Sequence, residues 1–295
     1  MEQRNRTGYR PLGLYLHIPF CARKCLYCDF YSVEQPQSLD RYLFALLRQM
    51  EEYAPTCAAY RLDTLFIGGG TPSLLSRRQW DKLFRGVEHS FRLSRDMEVT
   101  VEVNPDSVDQ KQLSHLHRLG VNRISIGVQS FDDALLQGIG RLHSAERARQ
   151  AVREARRAGF DNISLDLMYG LPGQTPQQFY DSLQEAFDLG VEHLSAYGLK
   201  VEDNTPFGRM GNKLLLPDDD TWANEYLELC RRTRQAGYYQ YEISNFAKPG
   251  CASRHNLKYW TLEEYLGLGP AAHSYLGNRR FGFVRDLEQY CACYE

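Results

Sequence analysis

The chain predicts an α/β fold built on parallel strands, and three observations carry that prediction. Apolar, β-branched runs alternate with helical patterns up to Leu199, the signature of βαβ units. Glycines stand just past helical patterns, at Gly120, Gly159 and Gly190, where a left-handed cap is favoured. Residues able to do chemistry fall at or near the C-terminal ends of the apolar runs, and parallel barrels open all those ends on one rim.

The predicted strands are Leu14 to Ile18, Leu62 to Ile67, Val99 to Val103, Arg123 to Val128, Ile163 to Met168 and Leu194 to Leu199. Between them, 3.6-residue periodicity predicts helices over Ser38 to Tyr53, Ser76 to His89, Asp109 to Leu119, Ser144 to Ala158 and Pro176 to Leu189. After Leu199 the pattern changes. Val201 to Leu216 has no period and contains glycine, proline and asparagine, so it reads as a crossing loop. A helix starts near Asp218, with acidic residues in its first turn. Trp222, Tyr226, Leu229 and Thr233 or Cys230 form its expected buried stripe. Tyr239 to Ile243 reads as a strand, and the chain stops inside a predicted helix, Leu287 to Tyr294. The expected division is a barrel domain over 1–215 and an accessory region over 216–295.

Composition narrows the function. A length of 295 residues and a hydrophobic share of 43% supply a large core. The formal net charge of −2 gives no electrostatic argument for nucleic acid or an anionic membrane. Arginines do cluster over Arg147 to Arg157, but glutamates and alanines interleave them, as on a solvated helix face. No stretch approaches a membrane span, and Met1 to Arg10 is polar rather than signal-like. A cytoplasmic setting is expected, with the eight cysteines free or bound to metal. Cys57 and Cys230 read as inert thiols.

The most informative run is Cys21-Ala-Arg-Lys-Cys25-Leu-Tyr-Cys28. Three thiolates on one loop hold three corners of a four-iron cluster. The run offers no fourth ligand, so the last iron stays open, and loops of this spacing typically give that iron to S-adenosylmethionine (SAM). A structural zinc site is the alternative, but zinc commonly draws on two Cys-x2-Cys pairs and no second pair stands nearby. The run Gly68-Gly-Gly-Thr-Pro lets a ligand approach main-chain groups; taken alone it is equally a tight strand-to-helix turn. It lacks the Lys-Ser/Thr ending of a P-loop.

Five motifs in order extend the picture: His17-Ile-Pro-Phe-Cys21, Gly68-Gly-Gly-Thr-Pro-Ser73, Glu102-Val-Asn-Pro105, Gly127-Val-Gln-Ser130 and Asp166-Leu-Met-Tyr-Gly-Leu-Pro172. The ordered set resembles the oxygen-independent coproporphyrinogen oxidase family of radical-SAM proteins, from about Tyr15 to the end of the chain. The resemblance implies a partial (β/α)6 barrel, a 4Fe–4S cluster on Cys21, Cys25 and Cys28, and SAM. It carries over Gly69, Gly70, Thr71, Glu102, Gln129, Arg141 and Asp166 as SAM contacts, and Tyr15 as a residue leaning on SAM. From the residues alone, a plain core tyrosine and an Arg141–carboxylate salt bridge across the rim stay open. Members of the family continue further, so the chain reads as short at its C-terminus.

Two features divide the branches of that family. His255-Asn-Leu-Lys-Tyr-Trp260 resembles the signature of its heme chaperone branch. An imidazole or tyrosinate can ligate heme iron, His255 and Tyr259 share a helical face, and Trp260 could stack on a porphyrin. A hydrogen-bonded histidine anchoring the accessory region is the alternative. The decarboxylating enzymes carry a further cysteine where Phe30 stands, and a longer segment ahead of the first strand. The expectation is therefore a heme chaperone that passes heme to a recipient protein. Radical oxidative decarboxylation of coproporphyrinogen is the enzymatic alternative.

Overall fold

A computed structural model describes residues 8–295; the first seven residues of the polar stretch Met1 to Arg10 lie outside them. Six parallel strands, β1 (Arg10–Ile18), β2 (Tyr60–Gly69), β3 (Leu93–Val103), β4 (Arg123–Gln129), β5 (Ile163–Tyr169) and β6 (His193–Gly198), lie side by side in sequence order. Helices α1 (Leu39–Tyr53), α2 (Arg77–Ser90), α3 (Gln110–Arg118), α4 (Asp133–Gly138), α5 (Ala145–Ala158) and α6 (Pro176–Asp188) occupy the crossovers. This is the expected partial (β/α)6 barrel.

The alternation of side chains along each strand builds two environments. On β4, Ile124, Ile126 and Val128 join the buried apolar core. Arg123, Ser125, Gly127 and Gln129 line a cavity instead. The outer face meets Leu43, Leu46 and Met50 of α1, Trp80, Leu83 and Val87 of α2, and Phe179 and Leu183 of α6 in one core. Each such side chain contributes roughly 1.5–3 kcal/mol by leaving water. Helix starts follow the sequence: Ser76, Asp109, Ser144 and Thr175 each accept a backbone N–H of the first turn. Gly120, Gly159 and Gly190 take φ of +93°, +102° and +70°, as C-caps require.

Residues after 215 extend the same sheet on both sides. Beyond β6 lie β8 (Asn245–Ala247) and β7 (Tyr239–Gln240), both antiparallel; beyond β1 lie β9 (Tyr265–Leu268), β10 (His273–Leu276) and β11 (Arg279–Gly282). The strand expected over Tyr239 to Ile243 is interrupted, because Tyr241 turns its hydroxyl onto His193 Nε2 at 2.7 Å and pairing resumes at Asn245. The crossing loop contains a short helix, α7 (Pro206–Met210), capped by Thr205. On α8 (Asp219–Gln235) the buried positions are Glu225, Leu229 and Thr233. Trp222 is half-exposed and packs on the Tyr169 ring at 5.1 Å. The predicted terminal helix is α10 (Leu287–Ala292). No helix among the described residues is long and apolar enough to cross a membrane.

One further helix, α9 (Arg254–Thr261), docks against β2 and β3. Glu98 of β3 accepts the backbone N–H groups of Arg254 and His255 at 2.9 and 3.0 Å. The buried Lys258 ammonium meets Asp63 at 2.9 Å and Glu263 at 3.1 Å. These pairs fix the helix carrying the His255 motif to the barrel wall.

Candidate functional site

Strand ends, the cysteine loop and α9 enclose one cavity of about 510 Å³. Cys21, Cys25 and Cys28 all line it, together with Tyr15, Gly69, Gly70, Thr71, Glu102, Gln129, Arg141 and Asp166. Residues up to 244 positions apart in sequence, Tyr15 and Tyr259, thus line one cavity.

Neighbouring elements hold the cysteine loop. Cys21 N–H donates to Val33 O at 3.0 Å, Leu26 N–H to Ile139 O at 3.1 Å, and Phe207 N–H to Leu26 O at 3.0 Å. The glycine turn packs directly beneath. Gly70 N–H donates to Ile18 O at 2.8 Å, and Thr71 N–H to Phe20 O at 2.6 Å. A Cβ at Gly70 would lie 2.5 Å from the Phe20 carbonyl oxygen, and one at Gly69 (φ +109°) 2.5 Å from His17 Nδ1. Only glycine fits at either position. His17 is the wedge behind that turn. Its Nε2 donates to Tyr31 O at 2.8 Å, so its Nδ1 accepts from the Tyr15 hydroxyl at 2.9 Å. Burial holds its pKa down at about 4, and the ring stays neutral.

Two donors point at the sulfurs. The Thr71 hydroxyl lies 3.7 Å from Cys21 Sγ, and Arg141 Nη1 lies 3.6 Å from Cys25 Sγ. Arg141 also donates to Asn104 Oδ1 at 2.9 Å and to the Gly127 carbonyl; it makes no salt bridge to a carboxylate among the described residues. Burial pushes the Cys28 thiol up to about 11. Among the described residues no three His, Cys, Asp or Glu groups converge on a single-ion site. The three thiols share the cavity lining, with hydroxyl and guanidinium donors at two of the sulfurs, a donor set that suits the thiolates of an iron–sulfur cluster.

Two half-buried carboxyls also line the cavity. Glu102 accepts Gly69 N–H at 3.0 Å, and burial, reinforced by Asp166, raises its pKa to about 7. Asp166 accepts from the Ser125 hydroxyl at 3.1 Å and is raised chiefly by burial. Gln129 takes φ +71°, rare for a non-glycine residue. It sits where the β4–β5 register shifts, a bulge that turns its side chain into the mouth.

The α9 motif divides. Asn256 and Tyr259 line the cavity, and Trp260 is 54% exposed. His255 is fully buried behind them, with Nδ1 2.8 Å from Thr64 Oγ1 and Nε2 2.9 Å from the Tyr259 hydroxyl. Its pKa is lowered to about 3 by burial and then by Lys258. Both ring nitrogens are therefore engaged, and the ring ties α9 to Thr64 of β2. Phe30, 71% exposed, stands at the cavity mouth.

Phe66, Asn104, Arg123, Ser125, Ser195, Tyr197 and Asn256 also line the cavity, although no sequence motif marks them as site residues. Period-two alternation on β4, counted back from Gln129, marks Arg123 and Ser125 as inward-facing. The loop position of Asn104 gives no such signal.

Comparison with known proteins agrees with this geometry. The radical SAM superfamily model matches residues 15–186. The chain is 44% identical over 281 residues to the heme chaperone HemW of Bacillus subtilis, covering 94% of this chain and 74% of that protein. It is 41% identical to the heme chaperone HemW of Escherichia coli, covering 89% and 70%. The structure of the radical SAM enzyme coproporphyrinogen III oxidase, HemN, from Escherichia coli superposes with a TM-score of 0.85 at 28% identity, over 98% of this chain and 70% of that one. With a superfamily match over more than half its length and HemW relatives matched over more than two thirds of theirs, the chain belongs to the HemW heme chaperone family of the radical SAM superfamily.

Proposed function

We propose that this protein binds heme and hands it to a recipient protein, with a 4Fe–4S cluster on Cys21, Cys25 and Cys28 and SAM in the same cavity. The observation that carries this reading is that α9, bearing the His255 motif, walls the cavity lined by the three thiols. Heme meets the helix through Tyr259 and Trp260. His255 reaches the iron only when the Tyr259 hydroxyl swings off Nε2. Residues 1–215 supply the cofactor site and 216–295 the heme-contact helix. The recipient is a heme protein of the cytoplasm.

SAM is held by the Gly69–Thr71 turn, Tyr15, Glu102, Gln129, Arg141 and Asp166. A cluster held by Cys21, Cys25 and Cys28 would be able to supply a single electron to a bound sulfonium. The chain's own residues orient that sulfonium and exclude water: Arg141 steadies Cys25, and the Glu102 and Asp166 carboxyls accept hydroxyl or ammonium donors. SAM should therefore perturb the electron paramagnetic resonance spectrum of the reduced cluster. Asp166→Ala and Arg141→Ala should each weaken SAM binding by about tenfold or more, the worth of a buried charge-assisted hydrogen bond. An unchanged wild-type spectrum would remove SAM from the account.

Anaerobic assay of heme binding and coproporphyrinogen turnover in parallel separates chaperone from enzyme. A shifted Soret band at near-stoichiometric heme, without decarboxylation, is expected. Phe30 standing where the enzymes carry a cysteine favours that outcome, and turnover would reverse the reading.

A further inference from the structure

Arg123, the first residue of β4, projects into the cavity and is 2% exposed. Its Nε has no hydrogen-bond partner, and no ion pair among the described residues involves it. A buried guanidinium is costly to leave unpaired. The nearby acids do not meet it: Glu102 is engaged by Gly69 N–H, and Asp166 by the Ser125 hydroxyl.

We propose that Arg123 anchors a carboxylate entering this cavity, and that the carboxylate is a propionate of the porphyrin cargo. The planar guanidinium fork matches a carboxylate bidentately. Position argues against the amino-acid end of SAM, whose carboxylate belongs at the open iron beside the cysteine loop. Arg123 stands six residues before Gln129 on the strand, roughly 20 Å at the rise of an extended chain. The same cavity is lined by the rings of Phe66 and Tyr259, surfaces suited to a flat macrocycle. Ser125, two residues on along the strand, and Asn256 add polar atoms to the lining.

This inference rests on the heme reading, and its test separates the two. Hemin and hemin dimethyl ester, with both propionates masked, are titrated into anaerobically reconstituted wild type, Arg123→Lys and Arg123→Met; SAM affinity is measured alongside. Wild type should prefer the free acid by about tenfold or more. Arg123→Met should lose that preference and Arg123→Lys should keep part of it, while SAM affinity stays within about twofold. The wild-type comparison needs no variant to fold. Equal binding of acid and ester by wild type, or a preference surviving in folded Arg123→Met, would overturn the propionate anchor while leaving heme binding intact. Weaker SAM binding with unchanged discrimination would assign the carboxylate to SAM and overturn the cargo assignment. Failure of wild type to bind hemin at all would overturn the heme reading itself.

Discussion

Replacing any one of Cys21, Cys25 and Cys28 by alanine abolishes the charge-transfer absorption of the anaerobically reconstituted protein. Losing one of three ligands leaves a second iron of the cluster without protein support, and the loop offers no replacement thiol. The remaining cysteines stand elsewhere: Cys57 and Cys291 are buried, and Cys230, Cys251 and Cys293 lie outside the cavity lining. Alanine at any of these five should leave the absorption unchanged. The fold itself should survive loss of a cluster cysteine, since all three are only partly buried and the loop is held through backbone hydrogen bonds. Iron content, the sulfur-to-iron charge-transfer absorption and circular dichroism check the three parts. Equal dependence on Cys57, Cys230 or Cys251 would refute the open-iron arrangement.

His255→Ala is expected to cost stability. The change strands the fully buried Thr64 hydroxyl and frees the Tyr259 hydroxyl, at about 1–3 kcal/mol for each buried group left unpaired, besides the cavity. A loss on the order of 3 kcal/mol is expected in urea unfolding. His255→Gln restores part of the hydrogen bonding, so it recovers stability without an imidazole. Heme spectra that follow stability across the two variants assign an anchoring role; spectra lost in both assign the iron. The pH dependence follows from the same burial. In the folded protein His255 titrates at about 3, and His17 and His143 at about 4, against an ordinary 6.5. The unfolded chain therefore binds more protons between these values. Stability is fully present above about pH 6.5 and drains away as the pH falls toward 3–4. The slope should be shallower in His255→Gln.

Much of this arrangement was legible in the sequence. The six parallel strands and their crossovers follow from runs of Leu, Ile and Val flanked by helix periods, and capping residues mark the helix starts to within a residue. The cysteine spacing and the Gly68–Thr71 run place two motifs on adjacent strand ends. What was not legible depends on tertiary pairing. Asn245 to Ala247 is too short to read as a strand until it pairs with β6. Trp222 reads as core, yet it covers Gly170 and Gly198 at the surface. The depth of His255 arises from Thr64 and Tyr259 converging on one ring, contacts no local pattern announces. Arg123 shows only as one polar residue at the head of an apolar strand, and its isolation exists only once the barrel surrounds it.

Heme is proposed to bind against the helix that walls the cluster cavity. Amide hydrogen exchange of the reconstituted protein, with SAM and with stoichiometric heme added separately, tests that placement most directly. SAM should slow exchange in the Cys21–Cys28 loop and the Gly69–Thr71 turn, and heme should slow it across Arg254–Thr261. Heme protection confined to peptides away from α9, with exchange there unchanged, would contradict it.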